Sequence, residues 1–420
     1  MRSLWRILKK VFPAGSSGRL MLYRLRQRVE RSTQIGGDRP QLPIDDDLTE
    51  FIQTVNERGS KRIVIILAST KLDVDEGQRS TNLALEFAKR GIPCIFGYWR
   101  WDRELWLPQD RLEQGILQIP VDVLGTWPET ILRKFMCEEK ILLIEFPHPS
   151  FFKILSEANA AEWITIYDVV DDWAEFQLVD QAIWYDADFE KHMINAVDAV
   201  TVVNRGMAEK VYSISARIPR ILANGMSEDI ELIDKERSLE RGRITVGYFG
   251  YLAGAWFDWE LIVKVAYRNP DWRFYLIGYG GTPGELSVPN NLHLLGKVPR
   301  HELASYAANW DVAVVPFKPE KLAAGADPIK IYEYLAMRLP VVLTGVYAPL
   351  GAEGIVKRVE GVYAFEEAIR TGASQKDRLA EERIAFAKRN SWTNRLEQLL
   401  GIIESGEQRI DEKRALFGKG

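Results

Sequence analysis

Arg62–Ala68 reads RIVIILA, and much later in the chain Arg243–Phe249 reads RITVGYF. Each is a continuous β-branched, apolar run, the composition of a strand buried on both faces of a parallel sheet. The elements downstream of each run repeat as well. After the first comes a polar loop, a helical stretch Ser80–Arg90 stopped by Gly91, and a second strand Ile92–Tyr98. Further strands are expected at Ile141–Phe146, Ile164–Val169 and Ala199–Val203. After the second run come a helix Asp258–Tyr267 with Asp258 as N-cap, strands Trp272–Ile277 and Leu292–Leu295, and a helix Pro299–Asn309. Strand Asp311–Pro316, helix Pro328–Met337 and strand Val341–Thr344 complete it. Strands alternating with helices imply parallel sheets with right-handed crossovers. The expected fold is therefore α/β, with two doubly wound, Rossmann-like domains facing a cleft. Domain limits are expected at 61–230 and 243–380, with residues 1–60 a basic arm and linker and 381–420 C-terminal helices packing back on the first domain.

Length allows two or three domains, and composition and charge exclude several classes. Of 420 residues, 46% are hydrophobic, ample for full cores, and no run approaches the ~18 apolar residues of a membrane span. The net charge of −4 is unevenly placed: residues 1–31 hold nine Arg or Lys against one acid, Glu30, leaving −12 on the remainder. An acidic body argues against nucleic-acid binding, which needs a basic face. Met1–Phe12 (MRSLWRILKKVF) has apolar residues at helical spacing among basic ones, suited to an anionic membrane surface or an acidic partner. Two cysteines and four separated histidines make neither a disulfide framework nor a metal site. A cytoplasmic protein is expected, peripheral at the inner face of the membrane, with no cofactor or required metal.

Open parallel sheets bind ligands beyond the carboxyl ends of their strands, where helix N-termini offer free N–H groups. The richest such segment is Ala324–Val342, AGADPIKIYEYLAMRLPVV, in which Asp327 suits an N-cap and Pro328 the first helical position. Lys330 and Glu333 then share one helix face, able either to pair with each other or to meet a ligand. Gly278–Gly284 (GYGGTPG) invites a dinucleotide reading, but a proline and a polar loop come next instead of a helix.

The Ala324–Val342 segment resembles the nucleotide-sugar signature of GT-B glycosyltransferases, particularly family 4-like enzymes and the bacterial teichuronic-acid-type subgroup. Asn291–Pro316, Thr245–Asp258, Gln78-Arg79, Tyr167–Phe176, Asn224-Gly225 and Ser391-Trp392 resemble motifs of the same group, so the likeness spans roughly residues 61–402. The resemblance implies a nucleotide-diphosphate sugar as donor and a cell-envelope saccharide or lipid-linked acceptor, with retention at the transferred carbon. It implies that Glu333 binds the donor ribose, and that Lys330, Asp327, Pro328, Gly250 and Lys297 line the donor site. His148 and Asp172 are the expected catalytic residues, and Gln78, Arg79, Asp171 and Asp258 the acceptor-binding ones. Simpler roles stand beside these: a helix cap for Asp327 and Asp258, a solvated loop or the cap of the next helix for Asp171 and Asp172, core packing for Trp99, Trp101 and Trp106. Two departures are visible. Gly325 stands where many such enzymes have a first glutamate, and Arg338 where the helix usually stops on glycine. A nucleotide-sugar epimerase of the same fold, or a degenerate GT-B subunit that assembles or binds polysaccharide, are the alternatives.

Overall fold

A computed structural model describes residues 45–100, 105–227, 230 and 237–417. The first sheet contains β1 (Arg62–Leu67), β2 (Cys94–Tyr98), β3 (Ile116–Pro120), β4 (Glu139–Ile144), β5 (Ile164–Val169), β6 (Ala199–Val202) and β7 (Arg220–Ile221). The second contains β8 (Thr245–Tyr251), β9 (Arg273–Tyr279), β10 (Leu292–Gly296), β11 (Val312–Pro316), β12 (Val341–Thr344) and β13 (Val356–Arg358). Their orders are β3-β2-β1-β4-β5-β6-β7 and β10-β9-β8-β11-β12-β13, the same winding used twice. Every strand pair in both is parallel. In each sheet the order reverses between the first strand and the fourth, which opens a crevice at their carboxyl ends.

The RIVIILA run behaves as its composition requires. Ile63, Ile65 and Leu67 pack into one core, while Val64, Ile66 and Ala68 pack into another on the opposite face. Alternation along a strand sends neighbours to opposite faces, so only a strand covered on both sides can be apolar throughout. The second face is covered by the helix Arg79–Lys89 and by the C-terminal helix Trp392–Phe417. Trp392, Leu396, Leu399, Leu400 and Ile403 supply that helix's buried stripe, at helical spacing. The chain thus returns from the second domain to close the first.

Three differences from expectation have local causes. Asp45–Glu57 is a helix whose Leu48, Phe51, Ile52 and Val55 enter the first core, so residues up to 60 are not all arm and linker. Its apolar residues recur at i, i+3, i+4 and i+7, a period masked by the aspartates and prolines before it. The stretch expected to be one helix from 299 to 309 divides into a 3-10 turn, Arg300–Glu302, and a short helix, Leu303–Ala307. The helix Ile329–Ala336 closes with Arg338 at φ 63°, a left-handed conformation in which Leu339 N–H bonds the Tyr334 carbonyl. The basic arm 1–31 and Trp101 lie outside the described residues.

Gly247 on β8 lies under the Trp310 ring, and a Cβ there would fall 1.8 Å from it. Gly247→Ala is expected to destabilise the protein by ~1–3 kcal/mol or more through forced repacking. Gly254→Ala, where a Cβ meets nothing within 4 Å, serves as the matched control. Equal urea midpoints for the two variants would contradict this packing.

Candidate functional site

Beneath the cleft lies a buried polar network. Arg79 opens the helix after β1, and Asp168 lies on β5; their side chains are 5% and 0% exposed. Arg79 Nε and Nη2 donate to the two Asp168 oxygens at 2.7 and 3.1 Å, and Thr201 Oγ donates to the same carboxylate at 2.6 Å. Burial works against the Arg79 charge, but Asp168 outweighs it and the pKa is raised. The remaining nitrogen, Nη1, donates to Asn224 Oδ1 at 2.9 Å. Asn224 in turn donates from its backbone N–H to Asp327 Oδ2 and from Nδ2 to the Asp327 carbonyl, both at 2.6 Å. Tyr332 donates to Asp327, and Arg395 on the C-terminal helix donates to the Asn224 carbonyl. Two expectations are corrected here. Arg79 is committed to Asp168 and Asn224 instead of facing an acceptor. The Asp327 carboxylate joins the two domains instead of holding a donor or capping a helix; Pro328 occupies the N-cap position.

Just beyond this network, Lys330 and Glu333 face the cleft from the second domain. Lys330 Nζ lies 3.2 Å from the Tyr248 hydroxyl and over the rings of Tyr248 and Phe317. Burial pulls its pKa down to about 8, with Glu333 opposing the shift. Gly250 has φ 137°, and a Cβ there would come 2.6 Å from Lys330 Nζ, so the missing side chain makes room for the amine. Glu333 is bonded not to Lys330 but to Arg300, with Nη2 at 2.5 Å. Arg300 also meets Ser227 Oγ at 3.3 Å and lies against Gly77 of the first domain. Arg300 went unrecognised in the sequence, because it comes after a short strand and a proline and belongs to no spacing rule.

Contacts across the cleft mouth involve a second cation. Lys297 Nζ bonds Glu76 Oε1 at 2.7 Å, and the Tyr279 hydroxyl donates to the same carboxylate at 2.9 Å. Nearby, exposed Gln78 occupies the N-cap position of the helix Arg79–Lys89 without capping it through its side chain.

The remaining expected residues divide into two groups. Asp258 accepts from Leu261 N–H at 2.9 Å and caps its helix, the simpler role that stood beside acceptor binding. His148 lies in the loop after β4, its Nδ1 bonded to Ser150, with its ring against Trp99, Phe151 and Trp184. Asp172 caps the helix Trp173–Leu178 and pairs with Lys210 at 2.7 Å. Asp171 beside it is partly buried, and burial together with Asp172 pushes its pKa up to about 7. The Asp172 side chain also explains Gly325: a Cβ on Gly325 would lie 2.9 Å from Asp172 Cβ, leaving no space for an acid there. Asn204 Nδ2 fixes that loop by bonding the carbonyls of Ala324, Gly325 and Ala326.

Two doubly wound parallel sheets facing a cleft, with a helix start aimed into it, define the GT-B class. Solved structures agree on the fold. A glycosyltransferase from Rickettsia africae ESF-5 superposes with a TM-score of 0.63 at 12% identity, covering 83% of this chain and 99% of that one. Anabaena Alr3699/HepE, solved with UDP and glucose, gives 0.57 at 13% identity over 82% and 99%. TarM gives 0.57 at 10% over the same shares. More particularly, residues 244–374 match the family Glycosyl transferases group 1. A Bacillus subtilis (strain 168) protein named for teichuronic acid biosynthesis, the glycosyltransferase TuaH, is 28% identical over 146 residues, 32% of this chain. That match spans 34% of the relative's own length.

Asp168→Asn would leave Arg79 buried with half its partner. A loss of ~3–5 kcal/mol in chemical unfolding is expected. An unchanged midpoint would show that the pair is not a principal support of the fold.

Proposed function

We propose that this protein is a retaining glycosyltransferase that moves a sugar from a nucleotide-diphosphate donor to a cell-envelope saccharide or lipid-linked acceptor. The observation that carries the reading is Lys330 and Glu333 at the start of one cleft-facing helix, with Arg300 of the turn Arg300–Glu302 paired to Glu333, inside the segment that matches the group 1 family. Glu333 is a buried acceptor suited to the paired hydroxyls of a ribose. Lys330, with the N–H groups of the first turn, supplies positive potential for a diphosphate. Lys297 and Arg300 add cations on the same side. The TuaH likeness favours a cell-envelope glycan by its name, and the UDP bound to HepE favours a uridine nucleotide.

In this reading the first domain presents the acceptor near Gln78, His148 and Asp172. The departing phosphate receives the proton of the attacking hydroxyl, so no dedicated base is required. Closing the cleft keeps water from the reacting sugar. An epimerase of the same fold would return an isomer of the donor without any acceptor, which product analysis distinguishes.

A calorimetric panel of UDP-, GDP- and dTDP-sugars tests the donor site. Glu333→Gln is expected to weaken binding of the preferred nucleotide about tenfold or more, the order of a lost charge-assisted hydrogen bond. Affinity in the wild type should fall as pH rises through about 8, where Lys330 loses its charge, and Lys330→Met should flatten that dependence. Unchanged binding in Glu333→Gln would remove the assignment. Residues 1–31, with their excess of basic side chains, are proposed to hold the enzyme on an anionic membrane. Deleting them is expected to abolish co-sedimentation with phosphatidylglycerol vesicles; persistent binding would overturn that role.

A further inference from the structure

Four carboxyl groups converge at the carboxyl ends of β4 and β5, on the first-domain side of the cleft: Glu145, Asp168, Asp171 and Asp172. Two have cations. Asp168 is paired with Arg79 and Asp172 with Lys210. No ion pair reaches Glu145 or Asp171 among the described residues. Glu145 comes directly after β4, where the strand order reverses, and its N–H bonds the Leu67 carbonyl at the end of β1. It is 3% exposed, and its Oε1 has no hydrogen-bond partner among the described residues. Ser80, in the first turn of the helix Arg79–Lys89, bonds the carboxyl group. A buried acid with an open hydrogen-bonding position, in the switch-point crevice beside a helix N-terminus, is an unfilled place for a ligand polar group.

The cleft is therefore polarised. Lys330 lies on the second-domain side, with Lys297 and Arg300 paired to Glu76 and Glu333, and Glu145 and Asp171, which no ion pair reaches among the described residues, lie opposite. We propose that Glu145 and Asp171 form the acceptor subsite and select an uncharged, hydroxyl-bearing sugar against an anionic one. This inference rests on the glycosyltransferase reading and narrows its acceptor class. Sugar hydroxyls both donate and accept, so they satisfy a carboxyl group in either protonation state. A carboxylate or phosphate on the acceptor would meet like charge in a region of low dielectric, where repulsion is least screened.

The groups facing the pair set its titration. Burial, reinforced by Asp168, pushes Glu145 up to about 8, against the pull of Arg79. Asp171 at about 7 is raised by burial and by Asp172. Raising the pH through 7 and 8 thus adds negative charge to the subsite, and exclusion of anionic sugars should sharpen.

Methyl glucoside and methyl glucuronide, which differ at C6 by a carboxylate, provide a matched pair of probes. Their binding to the full-length protein with saturating UDP would be tracked by saturation-transfer NMR at pH 6 and pH 9. The glucoside is expected to bind more tightly, with a preference that grows about tenfold between the two pH values. The isosteric double variant Glu145→Gln with Asp171→Asn should lose the pH dependence of the preference. Equal binding of the two sugars, binding of neither, or a preference for the glucuronide would overturn the proposal. UDP titrations of the wild type and of Glu333→Gln in the same samples report the donor site separately. Glu333-dependent nucleotide binding without the sugar preference removes this inference alone; loss of both removes the functional reading as well.

Discussion

Everything that positions the cleft depends on the buried pair of Arg79 and Asp168. A guanidinium taken out of water is tolerable only when its donors are met and its charge is opposed, and breaking such a pair costs several kcal/mol. Two of its nitrogens bond Asp168 and the third reaches Asn224, whose own groups are held by Asp327 of the second domain and by Arg395 of the returning helix. One unsatisfied-charge problem therefore locks together the first sheet, the helix Ile329–Ala336 and the C-terminal helix. The cleft residues inherit their positions from this arrangement, because Lys330 and Glu333 stand three and six residues after Asp327.

Side-chain omission shapes the cleft as much as side-chain chemistry. Gly250 admits the Lys330 amine, Gly77 admits the Arg300 guanidinium, and Gly325 admits Asp172 from the opposite domain. In each place a single methyl group would displace a charged residue. The missing acid at position 325 is thus a packing consequence of Asp172, and the site is built around Glu333 with Arg300 as its partner.

Much of the fold was legible because both sheets are buried on two faces. Ile164–Val169 and Val341–Thr344 form strands with the limits their sequences imply, since continuous β-branched runs have few other uses. The edge strands Ile116–Pro120 and Val356–Arg358 were not, being short and weakly patterned. Among the site residues, Lys330 and Glu333 stand out locally by helical spacing just past a proline-marked helix start. Arg79 and Asp327 looked like ligand contacts and are held in a buried network, because a sequence shows that a polar residue lies near a strand end but not what it faces. Glu145 and Arg300 carried no local signal at all.

The amino-acid sequence by itself determined the alternation of strands and helices, the repeated winding and the helix start that bears Lys330 and Glu333. These arise from short-range periodicity and capping, which are properties of neighbouring residues. Tertiary structure alone decided which charges are spent and which are open. Arg79 finds Asp168 on another strand, Glu333 finds Arg300 instead of its helix neighbour, and Glu145 has no ion-pair partner among the described residues. Burial and pairing of charge depend on residues far apart in the chain, and only folding brings them within hydrogen-bonding distance.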